Sequence, residues 1–173
     1  MRITPLLLLS GVIVMIPALA FAYPDGAPWG SADPNAAQNC SSCHFDGEVF
    51  FESEAIQLFV SPTACEERSV LPMRLTLVSP QASVAGFAMR TSAGEFFNKK
   101  HNGLESAPQE LRSTTPVKLK DAEIGWPLRL LVEDQGVERV TLDVAINAAN
   151  NDGSPFGDEI HYRTFEVSTC QEQ

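Results

Sequence analysis

The chain holds 173 residues, 44% of them apolar, which is enough for the core of one domain and short for two. Its 22 Asp and Glu against 12 Lys and Arg give a formal charge of −10, so its mean field repels phosphate backbones and anionic lipid head groups and argues against nucleic-acid binding. With 20% charged and 8% aromatic residues it is composed like a soluble domain, neither disordered nor polytopic.

Residues 1–22 open with Arg2, run through an apolar stretch and close on Ala20-Phe21-Ala22, the pattern of a secretory signal peptide cleaved before Tyr23. An uncleaved anchor is the other reading, but the stretch is short of the about 20 residues that span a bilayer. The tail carries neither an apolar anchor nor a basic cluster. The expectation is an extracytoplasmic protein, periplasmic or secreted, with no stable membrane anchor after cleavage.

Residues 23–53 are rich in Pro, Gly, Ala, Asn and Ser with little periodicity, and read as an irregular N-terminal arm. Residues 54–173 read as one β domain, with runs of β-favouring residues at 56–60, 71–78, 84–91, 127–132, 137–146 and 159–167 separated by turn residues. Met73, Leu75 and Leu77 alternate with Arg74 and Thr76, and Val140, Leu142 and Val144 with Thr141 and Asp143. That period of two buries one face of each strand, so the fold class expected is all-β, a two-sheet antiparallel sandwich. Residues 102–113 are the most helix-like piece, with Leu104 and Leu111 seven apart, or else a long inter-strand loop interrupted by Pro108.

One motif carries strong chemistry. Cys40-Ser41-Ser42-Cys43-His44 is a CxxCH sequence, the pattern of c-type haem attachment. Two thiols three residues apart reach adjacent vinyl groups of one porphyrin edge, and the next imidazole falls beneath the iron. The expectation is one covalent haem c, with Cys40 and Cys43 as thioethers and His44 as proximal ligand to the iron. A Cys40–Cys43 disulfide stays open, although the βαβ context of thioredoxin-type motifs is missing. So does a zinc site, which needs four ligands where three are local.

The sixth iron ligand is undetermined among Met73, Met89, His101 and His161. Met73 and Met89 also read as core filler in strands. His101, beside Lys99 and Lys100, reads as solvated, and His161, facing opposite to Ile160 and Tyr162, as a rung on the sheet surface. If haem takes the first two cysteines, Cys65 and Cys170 remain, and an exported protein would oxidise them to one structural disulfide.

Asn147, Asn150, Asp152, Asp158 and Glu159 form a second polar cluster, either a calcium site or a connection between strands. The EF-hand spacing is not met. Asn39-Cys40-Ser41 fits a glycosylation sequon. No GxSxG elbow, HExxH helix, Gly-rich phosphate loop or GxGxxG occurs, so a hydrolase or nucleotide enzyme has no support.

Gly26-Ala27-Pro28 ahead of Asn39-Cys40-Ser41-Ser42-Cys43-His44, then Val84-Ala85-Gly86-Phe87-Ala88-Met89, then 144–153 with Gly157-Asp158, resemble bacterial choice-of-anchor V proteins, which are similar to the reelin N-terminal (reeler) domain. The resemblance spans nearly all of the chain after residue 22 and implies an immunoglobulin-like β-sandwich. The C-terminal anchoring segment of many relatives has no counterpart here.

Three functions follow as expectations. The leading one is electron transfer or haem-linked redox sensing, with a basic redox partner protein met weakly by the acidic surface. The second is a non-catalytic recognition or adhesion module, in which the CxxC is a disulfide and the sandwich binds protein or glycan. A haem enzyme such as a peroxidase is third, and would need an open sixth position and a polar distal residue.

Overall fold

Alternating burial sets how the strands face each other. Along β3 (Ser69–Val78) Leu71, Met73, Leu75 and Leu77 are buried, and along β10 (Arg139–Ala149) Val140, Leu142, Val144, Ile146 and Ala148 are buried. Both sets belong to one core cluster, so the two strands line opposite walls of the same interior. In this computed structural model the described residues are 26–61, 69–97, 103–133 and 136–169.

The other elements are the helical turn α1 (Cys40–Cys43) and the strands β1 (Val49–Phe50), β2 (Ile56–Val60), β4 (Val84–Thr91), β5 (Glu95–Phe96), β6 (Leu104–Ala107), β7 (Glu110–Ser113), β8 (Val117–Lys118), β9 (Glu123–Val132) and β11 (Glu159–Ser168). The larger sheet has seven strands in the order β1-β11-β10-β4-β7-β6, with β8 also beside β4, and the smaller has four, β2-β3-β9-β5. All pairings between these strands are antiparallel except β1 with β11. The expected sandwich is therefore the observed fold.

The strand runs read from the sequence all recur, four of them with shifted ends: that at 71–78 begins at Ser69, that at 127–132 at Glu123, that at 137–146 runs from Arg139 to Ala149, and that at 159–167 ends at Ser168. The segment 102–113 is neither helix nor loop where described: β6 and β7 form a hairpin turning at Pro108-Gln109. Pro108 presets φ at the first turn position and Gln109 takes φ +63° at the second, the combination of a type II turn. Leu104 and Leu111 are both buried because the fold-back brings them to the same face, so their heptad spacing is incidental to a helix.

The arm is more ordered than its composition suggests, and it lies against the outward face of the larger sheet. Gly30 N donates to Glu110 Oε2 at 2.7 Å, Arg112 donates to the Ala27 carbonyl, and the Arg112 guanidinium sits 4.2 Å over the Trp29 ring. Arg90 meets Asp33 at 3.3 Å. Pairs this exposed contribute about 0.5 kcal/mol each, whereas each fully buried large apolar side chain contributes about 1.5–3 kcal/mol, so apolar burial beneath the arm decides its docking. That burial is a second small cluster of Cys40, Ala145, Ile160 and Tyr162, with Val49 packed on it. The arm then ends in β1, whose Val49 and Phe50 align with Ile160 and His161.

The signal-like residues 1–22, together with Cys65, His101 and Cys170, lie outside the described residues, and the expectations resting on them with them. Among the described residues no helix is long and apolar enough to cross a membrane.

Leu75 is wholly buried at the centre of the interior. Leu75→Ala is expected to lower unfolding free energy by about 3 kcal/mol, read as a lower urea midpoint with an unchanged slope.

Candidate functional site around the CxxCH turn

Asn39 makes the turn. Its Oδ1 accepts from Ser42 N at 2.9 Å and from Ser41 Oγ at 2.8 Å, which caps α1, while its Nδ2 donates to the Pro34 and Ala36 carbonyls at 2.6 and 3.1 Å. The amide of the sequon is thus committed to holding the arm. At the other end His44 N donates to the Cys40 carbonyl at 3.1 Å.

One helical turn gives the two thiols unequal settings. Cys40 is buried against Ala145, Ile160 and Tyr162, with Sγ 3.7 Å from the Ser31 carbonyl, and burial pushes its thiol up to about 11. Cys43 is half-buried. Both are free thiols, so the Cys40–Cys43 disulfide considered from sequence is not formed. Ser41 N donates to Tyr162 Oη at 3.3 Å, and burial raises the phenol of Tyr162 above its ordinary range.

His44 is held by residues distant in sequence. Its Nδ1 lies 2.8 Å from Asp158 Oδ2, and Asn147 Nδ2 lies 3.3 and 3.2 Å from Nδ1 and Nε2. Asn147 also donates to Asp158 Oδ2 at 3.3 Å. The Asp158 side chain is 3% exposed. Its Oδ1 and the Asn147 Oδ1 are buried without a hydrogen-bond partner. Gly47 closes the site: a Cβ there would come 1.5 Å from the Asp158 carbonyl oxygen, so only glycine lets the arm pass so near the start of β11.

None of the described candidates for a sixth iron ligand faces His44. Asn147 and Ile160, on the arm side, are register partners, and so are Ile146 and His161, which alternate to the interior side. Met89 is 1% exposed opposite Val144, and Met73 is 5% exposed in the smaller sheet. Both methionines are core. His161 is not a surface rung but 5% exposed. Its Nδ1 is 2.8 Å from Ser53 Oγ and its Nε2 3.5 Å from Glu159 Oε2, its ring stacks on Phe50 at 4.8 Å, and burial lowers its pKa from 6.5.

The calcium candidates scatter. Asn147 and Asp158 serve His44, Asn150 and Asp152 bond within their own turn, and Glu159 faces Ser79 and His161. Among the described residues no group of three or more His, Cys, Asp and Glu is placed to hold a metal ion.

For haem c the donor types fit and the placement does not. Thioether bonds through both sulfurs need both at one open edge, and Cys40 is turned into the sheet. Asp158 and Asn147 stand out in the sequence only as members of the oxygen-rich cluster, and their hold on His44, like that of Ser53 on His161, is not legible there. Long-range contacts of this kind leave no local pattern.

No protein-family model matches the chain, and no curated protein sequence matches it. In structure it is similar to the reeler domain of human F-spondin, at 15% identity over 74% of this chain and 95% of that one, with a TM-score of 0.50. It is equally similar to a second structure described as the Reelin-N domain of F-spondin, at 16% identity over 78% and 98% of the two chains, TM-score 0.50. A third likeness is at 8% identity, over 70% of this chain and 48% of the other, with TM-score 0.53. It is to a structure described as manganese lipoxygenase of Gaeumannomyces graminis with part of a zonadhesin of Komagataella pastoris. At such identities the likeness establishes the fold, a reeler-type immunoglobulin-like β-sandwich.

Two outcomes test this site. Iodoacetamide is expected to alkylate Cys43 in the native protein and to spare Cys40 until denaturant is added, with Gly47→Ala exposing Cys40 in native buffer, all read by peptide mass mapping. Because His161 titrates lower folded than its ordinary 6.5, the unfolded chain takes the proton first. Its contribution is therefore constant above pH 6.5 and declines as pH falls below it. His161→Gln is expected to flatten that part of the Tm–pH curve relative to the parent.

Proposed function

We propose that the chain is an exported, non-catalytic recognition domain with the reeler fold, in which the CxxCH turn pins the N-terminal arm to the sheet. The observation that carries this reading is the burial of the Cys40 thiol with Ala145, Ile160 and Tyr162 while Asp158 ties down His44. Every reactive group of the motif is then engaged in holding the arm, apart from the half-buried Cys43. Export rests on the signal-like residues 1–22, and the finer kinship with bacterial choice-of-anchor V proteins rests on the segments around Gly26, Cys40, Val84 and Asn147.

A second reading, covalent haem c on Cys40, Cys43 and His44 serving electron transfer or redox sensing, is favoured by one contact. A carboxylate on Nδ1, as Asp158 provides, is what orients metal-bound imidazoles, while Nε2, the atom a metal would take, has Asn147 Nδ2 at 3.2 Å. It requires Cys40 to turn out of the sheet.

Full-length protein produced with haem-attachment machinery and exported is expected to be colourless, with the mass of the polypeptide alone. A red product with c-type absorption bands and one added haem after denaturation overturns the recognition reading and establishes the second.

A further inference from the structure

Two segments meet at one end of the larger sheet, residues 44–54 of the arm and the connection 147–159. The Phe45 and Phe156 rings meet edge to face at 5.6 Å, Phe51 stacks on Tyr162 at 5.7 Å, and Ile160 N donates to the Glu48 carbonyl at 2.9 Å. The two segments together contain seven acidic residues and no lysine or arginine. Asp46, Glu48, Glu52, Glu54 and Asp152 are exposed. One cation, Arg163, reaches the arm segment from β11, where its guanidinium is spent on the Ser53 and Ile56 carbonyls.

Two large rings in contact with each other stand in solvent among these acids, Phe45 at 65% and Phe156 at 50% exposure, and Phe51 of the same arm segment is 67% exposed. Rings of that size are ordinarily buried, and the Phe45–Phe156 pair marks a contact surface. The acids select what can cover it. Anionic membranes and nucleic acids are repelled, and a second copy would bring its own five exposed acids against the first.

We propose that this end of the sandwich docks an arginine-bearing basic segment of a partner protein. The proposal rests on the reading of the chain as a recognition domain. A guanidinium is planar and weakly hydrated, so it stacks on a phenyl face while its N–H groups reach carboxylates, which an ammonium does less well. The acids attract the segment from a distance, and the rings hold it on arrival.

Fluorescence anisotropy with the full chain and a labelled arginine–glycine repeat peptide tests this, with a lysine–glycine peptide of equal length beside it. The arginine peptide is expected to bind the more tightly, and to be released as sodium chloride rises from about 20 mM to about 300 mM. Phe45→Ser with Phe156→Ser is expected to weaken binding about fivefold or more while leaving the salt dependence in place. Asp46→Asn with Glu48→Gln is expected to flatten the salt dependence, and Glu138→Gln, at the opposite end of β10, to change neither. Thermal melts confirm that each variant is folded.

Equal loss from Glu138→Gln, or none from the phenylalanine changes, reduces the effect to non-specific charge attraction and overturns the proposal. A dimer in sedimentation velocity that Phe45→Ser abolishes assigns the rings to a second copy and overturns it too. A colourless protein that binds neither peptide sinks this proposal alone, whereas a red one removes the recognition reading beneath it.

Discussion

The centre of the larger sheet is apolar on both sides. Val144 and Ile146 face the interior at 1% and 0% exposure, while Ala145 and Ile160, on the opposite face, are also at 0%. An antiparallel sheet of this kind ordinarily leaves one face to water. Here the second face must be covered, and residues 26–53 cover it. The burial of Cys40, the capping by Asn39 and the close pass of Gly47 over Asp158 all follow from that one requirement.

This constraint recasts the chemistry of the CxxCH turn. The same spacing that presents two thiols to a porphyrin puts them on successive sides of a turn lying on a sheet, and one of them goes inward. The imidazole that follows is held by Asn147 on β10 and by Asp158, just ahead of β11, the two strands that most need covering. Attachment chemistry and arm anchoring thus compete for the same side chains.

Much of the sandwich was legible because its strands obey the period of two. Leu71 to Leu77 and Val140 to Val144 announce which face is buried, and the sheets follow. The hairpin around Pro108 was not legible, since Leu104 and Leu111 satisfy a helical spacing as well as a fold-back, and only the positive φ at Gln109 distinguishes them. His161 misled for a related reason: alternation says which face a strand residue takes, but not that Phe50 and Ser53 would roof that face. Asp158 read as part of an oxygen-rich loop because its partner is more than a hundred residues away in sequence, as the separation of His44 from Asn147 by 103 also illustrates.

The short strand β1 runs parallel along the outer border of β11. A border strand left bare displays a ladder of unsatisfied amides on which another molecule can add its own strand. By laying two residues there, the arm closes the first stretch of that border, at Ile160 and His161, to strand addition.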